Sequence, residues 1–118
     1  MDKNKTDFYK TTDIDNVSGI QHTNRNGKSV IVIVGNGVII DDSVDFGYNV
    51  RIGDGSHIHD FADIGNGVNI GSESDVQRFT TIGKDAKVGN GVKIGKFAKV
   101  TDGKIVPDGL QLGDCQTF

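Results

Sequence analysis

Apolar residues recur at every sixth position of the chain: Val34, Ile40, Phe46, Ile52, Ile58, Ile64, Ile70, Val76, Ile82, Val88, Ile94, Val100, Val106 and Leu112. All fourteen positions are apolar in a chain that is 35% hydrophobic, and the register never slips. A period of about six fits neither a helix, with its period of ~3.6, nor an ordinary half-buried strand, with its period of ~2. Self-similarity of this kind predicts a solenoid, in which each repeat buries its apolar residues only by stacking on its neighbours.

Each repeat follows one plan. Nine of the fourteen inward residues are followed directly by glycine (35, 47, 53, 65, 71, 83, 89, 95 and 113), and the position four places on is small or β-branched in most repeats. Lys104 is the exception. Between these positions sit Asn36-Gly37, Asp54-Gly55, Asn66-Gly67, Asn90-Gly91, Asp102-Gly103 and Asp108-Gly109. Such dipeptides accept positive φ in a tight turn, so each hexad reads as one short strand and one turn. Val30 to Val34 reads as a strand buried on both faces, with Val32 and Val34 inward. Ile31 and Ile33, with Ile39, then face a leader segment or another subunit.

Residues 1–29 form a polar, aperiodic leader, and residues 30–118 form the repeat domain. A solenoid exposes an unpaired rung at each end, and the leader is placed to cover one, using Phe8 and Tyr9. A partly disordered tail is the competing reading, given its Asn, Asp, Lys and Thr content. His22 is expected at the surface.

Runs such as Ile52-Gly53-Asp54-Gly55-Ser56-His57 and Ile94-Gly95-Lys96-Phe97-Ala98-Lys99 resemble the hexapeptide-repeat proteins over Val30 to Gly113. The resemblance implies an all-β fold, a left-handed parallel β-helix with three hexads to each 18-residue coil and between four and five coils. Many members are acyltransferases that use acetyl-CoA, work as homotrimers and place a catalytic histidine in a cleft between subunits. The closing run from Val100 to Gly113 looks like the last coil of such enzymes and of the related γ-class carbonic anhydrases. Those anhydrases hold their metal through a His-x4-His pair and a further His, whereas this chain has His57-x-His59, so no metal is expected.

An 18-residue coil places residues i and i+18 on adjacent rungs. His57 then lies beside Asp75, a pairing in which the carboxylate can fix the tautomer of the imidazole for general-base work. His59 and Asp60 follow directly, which makes the densest chemical stretch of the chain. His57, Asp75 and His59 are accordingly the candidate catalytic residues, with coil backbone amides as oxyanion donors. Phe61, Phe79 and Phe97 fall in one corner column, either as a ladder stabilising its own turns or as a contact for ligand or partner. Arg51, stacked on Asn69 and Lys87, and Arg78, beside Phe79, can meet a phosphate or stand as solvated charges. Asp45 and Asp63 stack unfavourably and call for solvent or a cation.

Composition narrows the function. The 118 residues have room for one domain, and a formal charge of -3 with no basic run argues against a nucleic-acid polymer or an anionic membrane as partner. No signal-peptide core or spanning run is visible, and a cytoplasmic location is expected. The single cysteine, Cys115, excludes an internal disulfide. Two functions follow. One is acetyl transfer from acetyl-CoA to a small hydroxyl or amine acceptor at the clefts of a homotrimer. The other is a non-catalytic trimer that binds a small anionic ligand such as a nucleotide through Arg51, Arg78, Phe61, Phe79 and Phe97, or serves as a scaffold without any cofactor.

Overall fold

The computed structural model describes residues 8–10 and 18–118, and side chains from residue 19 onward. Three longer strands open the chain: β1 (Phe8–Lys10), β2 (Ser18–Thr23) and β3 (Ser29–Val34). Two-residue strands follow at each hexad: β4 (Ile39–Ile40), β5 (Asp45–Phe46), β6 (Arg51–Ile52), β7 (His57–Ile58), β8 (Asp63–Ile64), β9 (Asn69–Ile70) and β10 (Asp75–Val76). The series continues through β11 (Thr81–Ile82), β12 (Lys87–Val88), β13 (Lys93–Ile94), β14 (Lys99–Val100), β15 (Ile105–Val106) and β16 (Gln111–Leu112). They form three parallel walls: β3-β6-β9-β12-β15, β4-β7-β10-β13-β16 and β5-β8-β11-β14. The walls enclose one core of stacked Ile, Val, Ala and Phe46 side chains, so the β-solenoid expected from the six-residue period is the fold observed. No helix of the described residues is long and apolar enough to cross a membrane.

Corners impose the strictest local demand. Each is turned by a residue of positive φ, glycine at Gly37, Gly55, Gly67, Gly91, Gly103 and Gly109, but Ser43, Asn49, Phe61, Glu73, Phe79, Asp85, Phe97 and Cys115 elsewhere. A side chain in that region costs on the order of 1 kcal/mol, so the exceptions carry information. Phe61, Phe79 and Phe97, with φ of 62°, 60° and 59°, stack in one column and offset part of that cost by ring contact.

The Asn and Asp of the turn dipeptides have a second task that the turn reading did not include. Oδ1 of Asp54, Asn66, Asn90, Asp102, Asp108 and Asp114 accepts the backbone N–H of Asn36, Tyr48, Ser72, Lys84, Asn90 and Lys96 in turn, each one coil earlier. This crossing explains the glycine after the inward residue at positions 35, 47, 71, 83, 89 and 95: a Cβ on Gly35 would lie 2.8 Å from the backbone nitrogen of Asp54 and on its carboxylate. Buried Ser56, Ser74 and Thr80 donate to the carbonyls of Gly71, Gly89 and Gly95 at 2.7, 2.8 and 2.9 Å, so these hydroxyls enter the core without an unpaired donor.

The start of the chain differs from the sequence expectation in two ways. Strand β2 pairs antiparallel with β3, Ile20 opposite Val32 and His22 opposite Val30, and β1 pairs with β2. Because side chains alternate along a strand, this register turns His22 inward beside Ile20. His22 is buried, edge-on to Phe46 at 5.4 Å, and not at the surface. Nor is β3 buried on both faces: Val30 and Val32 are enclosed, while Ile31 is exposed. The expected packing of Phe8 and Tyr9 lies outside the described side chains.

The loop between β2 and β3 crosses onto the neighbouring wall. Asn24 Oδ1 accepts the N–H of Asn26 and of Lys28, which holds the loop closed. Arg25 then reaches the stacked Asp45 and Asp63, its Nε 3.4 Å from Asp45 and its Nη1 3.5 Å from Asp63. The cation that the stacked pair calls for is therefore Arg25. Asp63 remains above the usual carboxylate range, because desolvation and the adjacent Asp45 together outweigh the guanidinium.

Truncating the wall-centre side chain in Ile58→Ala, which is fully buried, is expected to cost about 2–5 kcal/mol in urea denaturation; a loss below ~1 kcal/mol contradicts the packing described. The raised Asp63 has a pH signature. A carboxyl whose folded pKa exceeds its unfolded value favours the native state below about 3.8 and loses that contribution as pH rises through the folded value. Asp63→Asn is thus expected to raise the urea midpoint at pH 7 and to lose this advantage below pH ~3.8; a lowered midpoint at pH 7 sinks the assignment.

Candidate functional site

The sequence puts polar residues where its own rule demands glycine. Among the inward residues not followed by glycine, Ile40, Ile58 and Val76 stand one coil apart, and Asp41, His59 and Gln77 occupy the vacated column. These side chains, with His57 and Asp75 of β7 and β10, gather on the outer face of one wall. The column is open to them because no Asn or Asp side chain crosses beneath, as one does at Gly35 or Gly83.

His57 and Asp75 are register partners on adjacent strands, as the 18-residue coil requires. Their side chains bond along the diagonals of the wall instead. His57 Nε2 lies 3.1 Å from Asp41 Oδ1, and His59 Nε2 lies 2.6 Å from Asp75 Oδ1. Asp75 therefore orients His59, and the carboxylate that orients His57 is Asp41. The two imidazoles stack at 3.7 Å with planes 18° apart, so neither ring turns without moving the other. Gln77 Nε2 donates to Asp75 Oδ2 at 2.7 Å, which fixes the far side of that carboxylate. All four charged or titratable groups are half-buried.

Beside this cluster lies a recess of about 290 Å³ lined by Asp41, His59, Asp60, Gln77, Arg78 and Lys96. Arg78 and Lys96 stand one coil apart, each directly before a phenylalanine of the corner column. The rings of Phe61, Phe79 and Phe97 stack at 5.0 and 4.9 Å and are exposed by 52%, 44% and 58%. The site thus combines a His/Asp cluster, two cations and an apolar edge. Arg51 does not join it: that residue is on β6, in a different wall.

Four backbone amides of this face are committed to the ladder and so cannot serve as oxyanion donors. Those of His57, His59, Asp75 and Gln77 donate to Ser74, Val76, Val92 and Ile94 at 2.9, 2.9, 2.8 and 3.0 Å. Arg78 and Lys96 are the cationic donors the recess offers in their place. Sequence reasoning missed Asp41, Gln77 and Lys96. The signal that finds the first two is the run of missing glycines at one-coil spacing.

No family model matches the chain, and no curated protein matches it. Several solved structures share its fold. The acetyltransferase domain of PglB from Neisseria gonorrhoeae superposes with a TM-score of 0.66 at 13% identity, over 75% of this chain and 48% of that one. A hexapeptide transferase family protein from Anaplasma phagocytophilum gives 0.68 at 24% identity, over 73% and 54%. Serine acetyltransferase 1 of Entamoeba histolytica, solved with L-cysteine, gives 0.61 at 20% identity, over 70% and 36%. The chain spans about half or less of each of these proteins, and at such identities the likeness is one of fold.

The short contact between His59 and Asp75 fixes a tautomer. In the neutral ring the proton is expected on Nε2, shared with Asp75, and long-range proton–nitrogen correlation spectra should show the Nε2–H form of His59. Asp75→Asn is expected to mix the tautomers, and an Nδ1–H form in the parent protein contradicts the geometry.

Proposed function

We propose that this hexapeptide-repeat β-solenoid transfers an acyl group from an acyl-CoA, acetyl-CoA in the first instance, to a small hydroxyl or amine acceptor. The observation that carries the proposal is the bond between His57 Nε2 and Asp41. With its proton on Nε2 and held by the carboxylate, His57 keeps a lone pair on Nδ1, which makes no hydrogen bond among the described residues. A base of this kind takes the acceptor's proton as the nucleophile attacks the thioester carbonyl, contributing typically 10²–10⁴-fold. The proton rests on imidazolium, stabilised by Asp41, until the thiolate of CoA leaves and receives it. Arg78 and Lys96, at the recess, face the negative charge of the intermediate or of the CoA phosphates.

The proposed assembly is a homotrimer, with the Phe61, Phe79 and Phe97 edge and exposed Ile39 and Ile105 as contacts. An apolar column of this length is more than a solvated corner requires. In the same arrangement the cleft between subunits excludes water from the thioester. The three solved structures named above are of acetyltransferases or a transferase family, which supports the reading at the level of fold. A second reading has one observation in its favour: Arg78 and Lys96 beside the aromatic edge also suit a small anionic ligand held without turnover.

Acetyl-CoA titrated into the purified protein by calorimetry tests the acyl-donor site, and turnover of an acceptor then separates catalysis from binding alone. Binding in the micromolar to millimolar range is expected, with light scattering reading the mass of the same sample as three chains. No binding at millimolar CoA sinks the enzyme. Given turnover of an amine or hydroxyl acceptor, His57→Ala and Asp41→Asn are each expected to lower kcat about 10²-fold or more while leaving the assembly intact. Full activity in His57→Ala removes the residue from the mechanism.

A further inference from the structure

We infer that Asp41, His57 and His59 form a site for one divalent transition-metal ion. The inference stands apart from acyl transfer, since it requires only these three side chains and the wall that holds them. One ligand atom from each lies within 4.8 Å of the other two. Asp41 Oδ1 is 3.1 Å from His57 Nε2, and Asp41 Oδ2 is 3.5 Å from His59 Nδ1. Two ligands bound at ~2.1 Å with tetrahedral or octahedral angles lie ~3.0–3.4 Å apart, so each histidine already stands near that spacing from Asp41, and the two stacked rings need only splay apart for both lone pairs to meet one ion.

The electronic argument is independent of that spacing. The 2.6 Å bond to Asp75 places the proton of neutral His59 on Nε2 and leaves a lone pair on Nδ1. That lone pair faces a carboxylate oxygen at 3.5 Å, where no hydrogen bond forms between them. With the ring neutral, two donor atoms thus lie 3.5 Å apart across a half-buried face, a separation that a metal ion can bridge in place of a proton. Asp75 then fills the place of the outer carboxylate that metal-bound histidines commonly carry, and Gln77 in turn fixes Asp75 at 2.7 Å.

The donor set selects the ion. Two imidazoles and a carboxylate favour Zn²⁺, Co²⁺, Ni²⁺ or Fe²⁺ over Mg²⁺ and Ca²⁺, which take oxygen shells. The three ligands are from one-quarter to one-third exposed, so the remaining positions of the shell open to water, as in catalytic and not structural zinc sites. All three residues are fixed by the ladder: His57 and His59 alternate by two on one strand edge, and Asp41 sits one rung away. Metal on His57 Nε2 displaces the proton shared with Asp41 and moves it to the solvent side, so the ion and the general base exclude one another. Zinc is accordingly an inhibitor of any acyl transfer at His57.

Calorimetry of the chelator-treated full chain with ZnCl₂, repeated with CoCl₂ and read by visible absorption, tests the site. One ion per chain is expected, with MgCl₂ giving no heat of binding. Asp41→Asn, His57→Ala and His59→Ala are each expected to weaken zinc at least tenfold, and Asp75→Asn by about 10- to 100-fold, with circular dichroism confirming that the fold persists. Cys115→Ser is expected to change nothing. Absence of binding at hundred-micromolar Zn²⁺ overturns the inference, as does binding that survives Asp41→Asn with His59→Ala or disappears with Cys115→Ser. Because zinc binding is read without acetyl-CoA, its failure leaves acyl transfer untouched, and failure to bind acetyl-CoA leaves the metal site untouched.

Discussion

Each rung of this molecule is held by the rung above and below it, and everything else depends on that hydrogen-bonded register. A two-residue strand such as His57–Ile58 has no stability alone; the His57 amide donates to Ser74 of the coil after, and the Ile58 carbonyl accepts from Asp41 of the coil before. The register converts a one-dimensional repeat into columns of stacked side chains. Inward columns become the core, and outward columns become lines of like or unlike groups whose fate is decided by what lies one coil away.

That constraint accounts for features that look unrelated in sequence. Glycine after the inward residue is required where an Asp or Asn of the next coil crosses to the preceding backbone, and its absence at Asp41, His59 and Gln77 marks the column where no crossing occurs. Phenylalanine is accepted at a left-handed corner because the next phenylalanine stands directly on it. Asp45 and Asp63 coexist because Arg25 is brought over them by the hairpin. In each instance a local cost is offset by a neighbour that is distant in sequence and adjacent in space.

The candidate site follows from the same geometry. A flat wall with rungs ~4.8 Å apart lets a side chain bond straight across or along a diagonal, and diagonal bonding won here: His57 with Asp41 and His59 with Asp75, each pair sixteen residues apart. Stacking of the two rings explains the choice. Once His57 and His59 pile against one another, the first ring leans toward the coil before and the second toward the coil after. The result is one chain of contacts, Asp41 to His57 and His59, then Asp75 and Gln77, with two imidazoles whose free nitrogens face different surroundings.

The six-residue period determined the solenoid, its core residues and its corners, and the 18-residue coil implied by the hexapeptide-repeat resemblance added the register pairing of His57 with Asp75, because each depends only on positions along a regular repeat. The Phe61, Phe79 and Phe97 ladder was legible for the same reason. Tertiary structure decided what the repeat does not encode. The burial of His22 depends on an antiparallel strand laid against β3, and the placement of Arg25 depends on the loop that follows it. The partner of each histidine depends on rotamers and ring stacking, which a column map omits: it records which backbones are adjacent, while chemistry is settled by which way side chains lean.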